Sequence, residues 1–98
     1  MTDDRRTPRT PFQIAAAVRA SISNDGLVLL DVHGGVVLAS NAIGARIWQL
    51  IESRLDGVEI ASRLALEYDV PAERARNDVA AFLAALEARG LVTAEEPC

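Results

Sequence analysis

Three short segments of strand character followed by three of helical periodicity predict an α+β domain: a three-stranded antiparallel sheet, then a three-helix bundle of winged helix-turn-helix-like shape. Two turn signals, Asn24-Asp25-Gly26 and His33-Gly34-Gly35, divide the strand region. After Ser40 the apolar spacing changes from two residues to three or four, which marks the helical region. The length, 98 residues, fits one such domain. Half of the chain is apolar, but 17 of those residues are alanine, so the larger side chains fill one small core. A domain of about 100 residues leaves no interior for an enclosed substrate cavity.

Each element has its own signal. Val18, Ala20 and Ile22 alternate with Arg19, Ser21 and Ser23 in the first strand. Asp-Gly then offers the positive φ of a tight hairpin. A two-residue and a three-residue turn would place opposite faces inward, so both registers stay open. Leu27 to Val32 forms the second strand and Val36 to Ala39 the third. Ser40 or Asn41 caps the first helix, which carries Ile43, Ile47, Leu50 and Ile51 on one stripe beside Trp48 and runs to about Arg54. Ile60, Leu64 and Tyr68 mark the second helix, which stops before Pro71. The third begins near Pro71, and Ala75, Val79, Phe82, Leu83 and Leu86 follow the 0, 4, 7, 8, 11 offsets of an amphipathic helix. Gly90 closes it, after which Leu91-Val92 packs back or pairs as a short extension. The predicted organisation is a flexible arm over residues 1–13, a domain over 14–93 and a tail over 94–98.

Composition narrows the function classes. One cysteine, Cys98, forms no internal disulfide and builds no cysteine zinc cluster, which suits a cytoplasmic setting. The longest uncharged run, Val32 to Ala45, has 14 residues and falls short of the ~20 a membrane-spanning helix needs. The net charge of −4 argues against nucleic acid as a partner. The only histidine, His33, lies in a turn, and Gly34 and Gly35 lack the spacing of a phosphate loop. None of the five serines (21, 23, 40, 53 and 62) sits in a nucleophile elbow, and no carboxylates pair inward. The expectation is a protein that is not an enzyme and uses no metal or other cofactor. Trp48, Tyr68 and Phe82 read as core.

The third strand is different. As a sheet edge, Val36-Val37-Leu38-Ala39 carries no charge or proline, and no protecting bulge is visible in it. Either the Leu91-Val92 tail or a second copy covers it, or an extended peptide adds to it as a further strand. Beyond its core stripe the third helix carries Ala80, Ala81, Ala84, Ala85 and Ala88, small side chains that let another backbone approach.

Leu29-Leu30-Asp31, Gly35 and Asn41-Ala42-Ile43-Gly44-Ala45-Arg46-Ile47-Trp48-Gln49-Leu50 together resemble the PqqD-like family. The series continues with Gly57-Val58-Glu59-Ile60-Ala61, Leu64, Tyr68-Asp69-Val70, Asp78-Val79, Phe82-Leu83, Leu86 and Gly90-Leu91-Val92, covering about residues 16–93. The resemblance implies a precursor-peptide recognition element: a domain that binds the leader of a ribosomally made, post-translationally modified peptide as a strand on the third strand's edge, against the third helix. It implies a ladder from Val36, Val37, Leu38 and Ala39 and a helix wall from Arg74, Asn77, Asp78, Ala81 and Ala85. Asp31-Val32-His33 stands where the pyrroloquinoline-quinone protein usually has a proline-glutamate pair, which favours the stand-alone lasso-peptide type. Its implied partners are a precursor peptide, a leader peptidase and a cyclase. The alternative is a chaperone of pyrroloquinoline-quinone synthesis or of another radical-SAM enzyme. A winged-helix DNA-binding protein is the competing class, but residues 72–89 hold three acids and three arginines and have no basic excess. A monomer or weak homodimer is expected.

Overall fold

A computed structural model describes residues 12–33 and 35–94, apart from the side chains at positions 36, 37 and 94. The expected arms at 1–11 and 95–98 lie outside the described residues, as does Gly34. The element order is β1 (Phe12–Ile14), β2 (Val18–Ser23), β3 (Gly26–Asp31), β4 (Gly35–Asn41), α1 (Ala42–Glu52), α2 (Gly57–Tyr68), α3 (Ala72–Ala88) and β5 (Val92–Ala94). The predicted α+β class holds: an antiparallel sheet in the order β2-β3-β4, then three helices.

The first hairpin settles the register left open above. Ser23 pairs with Gly26 across a two-residue turn, so Ile22 faces Leu27 and Ala20 faces Leu29. Leu27 and Leu29 point into the core and are fully buried. Asn24, Asp25 and Gly26 all keep negative φ, contrary to the positive values expected of Asp-Gly. Gly26 is needed for space instead, because a Cβ there would collide with the Ser40 carbonyl oxygen.

The Leu91-Val92 segment, expected to pack back or to pair as a short extension, does pair through Val92, in a second, two-stranded sheet whose partner strand β1 no pattern marks. Ile14 pairs with Val92 and Phe12 with Ala94, so Phe12 and Gln13, inside the arm expected to be flexible, and Ala94, the first residue of the expected tail, are strand residues. Phe12 is 1 % exposed, and Arg54 donates to its carbonyl oxygen at 3.3 Å. A lone phenylalanine next to Pro11 has no visible period, but burying it stabilises the fold by roughly 1.5–3 kcal/mol.

Helix boundaries follow capping chemistry. Asn41 Oδ1 accepts from the Gly44 amide at 3.0 Å, and α1 ends at Glu52, two residues short of its expected end. Asp56 and Glu59 form a reciprocal capping box at the start of α2. Gly90, with φ +73°, follows α3. Ile47, Trp48, Leu50, Ile51, Ile60, Leu64, Val79, Leu83 and Leu86 make one core with Leu91 and Val92. Trp48 is buried as expected, and its indole N–H donates to Glu52 at 3.0 Å. Tyr68 and Ile43, both read as core, are each 41 % exposed; Tyr68 is the last residue of α2 and Ile43 lies in the first turn of α1, where neighbouring helices cover a side chain only in part. Phe82 is half-buried against the core.

Candidate functional site: the outer edge of β4 and the pocket at its end

The phase of the sheet's hydrogen bonding fixes which groups of β4 face outward. The Val32 amide donates to the Ala17 carbonyl at 3.0 Å. Antiparallel pairs alternate between bonded and non-bonded, so the bonded pairs of β2 and β3 are Arg19–Leu30, Ser21–Val28 and Ser23–Gly26. Leu27 and Leu29 then turn their backbone groups toward β4, where they meet Ser40 and Leu38. Ala39 lies between those two, and its N–H and C=O point to the outer edge. Leu38 is therefore committed to β3, and Ala39 is the residue in position to pair with a further strand.

The register also jumps. Leu29 faces Leu38 while Leu30 faces Val36, which leaves Val37 as an extra residue in β4. This bulge is the edge device that the sequence reading found absent. No residue type marks it, because it follows from how a seven-residue strand matches a six-residue partner. It splits the edge and confines regular pairing to the half ending at Asn41. The Leu91-Val92 segment does not cover this edge, since Val92 pairs with Ile14. Among the described residues, no strand lies outside β4.

At that end β4 turns directly into α1 and meets α3. Gly44 makes the approach feasible: a Cβ there would strike the Ser40 side chain and come within 3.3 Å of the Phe82 ring. Ser40, Gly44 and Phe82 thus bring the middle of α3 to the end of the edge strand. Beside this junction is a small pocket of about 60 Å3 lined by Ile43, Leu64, Tyr68, Val70, Arg74, Ala75 and Asp78. Its floor is apolar. At its mouth the exposed Arg74 and Asp78 form a loose ion pair, Nε to Oδ2 3.8 Å. An apolar side-chain tip fits here, with a charged rim above it.

The structure sorts the expected helix wall. Arg74 and Asp78 line the pocket. Ala81 and Ala85 are exposed and continue the same side of α3 at offsets of 7 and 11 from Arg74. Asn77 is exposed on the face turned away from the buried stripe of Ala75, Val79, Leu83 and Leu86. The side chains of Val36 and Val37 lie outside the described residues. Sequence reasoning missed Ile43, Leu64, Tyr68 and Val70, which it either assigned to the core or left without a role. The available signal was position, because residues at helix ends lose the neighbours that periodicity assumes.

One ordered ion pair stands nearby. Arg46 on α1 clasps Glu67 on α2 with bonds of 2.8 and 2.7 Å. This hydrogen bonding raises the Arg46 pKa and lowers that of Glu67. Among the described residues, no group of three or more histidine, cysteine or acidic side chains could hold a metal ion, and no helix is long and apolar enough to cross a membrane.

The family model for coenzyme PQQ synthesis protein D matches residues 26–92, from the first residue of β3 into β5. The chain belongs to the PqqD family. Two solved structures are similar to this PqqD-family protein. One, described as TbiB1 in complex with the TbiA(beta) leader peptide, is 30 % identical over 87 % of this chain and 99 % of its own, with a TM-score of 0.77. The other, lasso peptide synthetase B1 complexed with the leader peptide, is 27 % identical over 84 % of this chain and 96 % of its own, with a TM-score of 0.75. No curated protein matches the chain in sequence. The PqqD match covers β3, β4 and all three helices, the elements that build the edge and the pocket.

Proposed function

We propose that this PqqD-family protein is a lasso-type recognition element that binds the leader of a ribosomally made precursor peptide as a strand on β4, against α3, and delivers it to a leader peptidase and cyclase. The observation that carries this reading is the outward-facing edge at Ala39, open among the described residues and ending beside an apolar pocket. Both similar solved structures hold a leader peptide, which supports the same reading. The role is that of a non-catalytic adaptor working in the cytoplasm as a monomer or weak homodimer. Val36, Val37, Leu38 and Ala39 supply the strand, with Ala39 making the outward bonds. Arg74, Asp78, Ala81 and Ala85 supply the facing wall.

The energetics suit an adaptor. Each main-chain bond contributes ~1 kcal/mol net. One or two apolar side chains seated at the pocket add ~1.5–3 kcal/mol each. Ordering the peptide opposes these gains, so affinity falls between nanomolar and micromolar. A second reading, a chaperone for pyrroloquinoline-quinone synthesis or another radical-SAM enzyme, is favoured by the family's own description. Recognition of DNA is disfavoured by the acidic balance of the chain.

Titration calorimetry with a synthetic leader taken from a short precursor reading frame beside this gene tests the proposal. The lasso reading expects saturable one-to-one binding and neighbouring genes for a transglutaminase-like peptidase and an asparagine-synthetase-like cyclase. A radical-SAM neighbour in their place favours the second reading, and absence of binding rejects both.

A further inference from the structure

A second depression lies past the end of β4. It is lined by Ile22, Ser23 and Asn24 from the tip of the β2–β3 hairpin, by Arg46 and Gln49 from α1, and by Tyr68. Tyr68 also lines the apolar pocket, so one side chain borders both spaces. The two differ in capacity. The apolar pocket, about 60 Å3, admits the tip of one side chain, whereas the second, about 420 Å3, has the size of a cleft that holds several groups.

Their placement follows from the register. Gly26 pairs with Asn41, the last residue of β4. The hairpin tip at Asn24 and Asp25 therefore stands just beyond the last rung, and α1 begins there. A strand added to β4 cannot continue its ladder past Asn41. Ile43 and Tyr68 line the first depression, and Tyr68 together with the hairpin tip lines the second.

We infer that the peptide-binding footprint is bipartite, with the stretch of peptide flanking the added strand passing Tyr68 into the groove between the hairpin tip and α1. This rests on the strand-addition reading above and extends it to elements, β2 and its turn, that lie outside the residues matched by the family model. The chemistry of the groove sets the class of residue it takes. Arg46 is already neutralised by two bonds to Glu67 and donates a third, 3.2 Å, to the Gln49 side-chain oxygen. It is thus no anchor for an acidic residue. Ser23, Asn24, the Gln49 amide nitrogen and the Tyr68 hydroxyl remain as neutral hydrogen-bonding groups. The flanking stretch is accordingly uncharged and polar, of the serine, threonine, asparagine or glutamine type.

Amide-resolved NMR of the full chain, titrated with two synthetic peptides, tests this. One is the complete leader; the other is trimmed to the residues that form the strand. The complete leader shifts the amides of Ala39, Ser23, Asn24 and Gln49, while the trimmed one shifts Ala39 alone and binds about 5-fold to 30-fold more weakly, the equivalent of one or two hydrogen bonds. Gln49→Glu, exposed and outside the core, weakens the complete leader and leaves the trimmed one unchanged. A shift at Ala39 with Ser23, Asn24 and Gln49 silent for the complete leader overturns the bipartite footprint and leaves strand addition intact. No shift at Ala39 for either peptide overturns strand addition and this extension with it.

Discussion

The sheet has two outer strands, β2 and β4, and both turn backbone groups outward. The hydrogen-bonding phase that exposes Ala39 on β4 also turns Val18, Ala20 and Ile22 outward on β2, where the Val18 amide is taken by the Ala15 carbonyl at 3.1 Å. On β2 the edge is partly occupied by the chain itself, because the Arg19 guanidinium folds back to donate to the carbonyls of Val18 and Ala16 at 3.2 Å. A charged side chain on an edge deters a further strand. On β4 no side chain among the described residues donates to Ala39, and the strand runs into the pocket of Ile43, Tyr68 and Arg74. An unpaired strand therefore does not make a binding site by itself. In the proposed mode of binding, the site needs an edge free of its own side chains together with a nearby place for a partner's side chain.

Perturbations of β4 separate folding from binding. Leu38→Pro has the largest expected effect and acts on stability: it removes an amide committed to β3 and costs about 3 kcal/mol, read as a large fall in thermal midpoint. Ile43→Asp comes next. It places a charge at the apolar pocket by replacing a side chain that is itself partly exposed, and it weakens leader binding by roughly 1.5–2 kcal/mol, about 10-fold to 30-fold, with the thermal midpoint nearly unchanged. Equal binding by wild type and Ile43→Asp in calorimetry would remove the pocket from the site.

The smallest effect belongs to the Arg46–Glu67 clasp, about a third exposed on each side. Glu67→Gln loses about 0.5 kcal/mol of stability at neutral pH, as expected for a surface pair. The sign follows from the carboxyl, whose folded pKa is lowered. Its contribution is present above the unfolded carboxyl value and disappears as the pH falls through the folded one. Wild type and Glu67→Gln should therefore converge in stability in acid, as followed by urea unfolding at several pH values.

Much of the fold was legible because local chemistry and the global pattern agree. Asn41 caps α1, Gly90 follows α3, and the stripe Ala75, Val79, Leu83 and Leu86 faces inward. Of the proposed site, the strand and the helix were legible as elements, but which of their atoms face outward was not. Whether Leu38 or Ala39 faces outward depends on the phase of a ladder two strands away, and the bulge at Val37 depends on matching two strand lengths. Neither quantity is written in residue type. Tyr68 and Ile43 misled the reading because a period of 3.6 says which side of a helix faces the core and not where along the helix the core ends. Phe12 has charged and proline-rich neighbours that hide it, and its partner Ala94 lies two residues beyond the Leu91-Val92 segment whose pairing the sequence suggests.

In the proposed complex a peptide pairs with β4 through Ala39. This pairing is tested most directly by calorimetry of the leader peptide with two matched variants, Ala39→Pro and Ala20→Pro, each removing one outward-facing amide from an opposite edge of the same sheet. Both should fold, since neither amide bonds within the sheet. Ala39→Pro is expected to weaken binding by about 30-fold, from a lost hydrogen bond together with the clash of the proline ring with the added strand, while Ala20→Pro binds as the wild type does. Unchanged affinity in Ala39→Pro, or an equal loss in Ala20→Pro, would rule out pairing through Ala39.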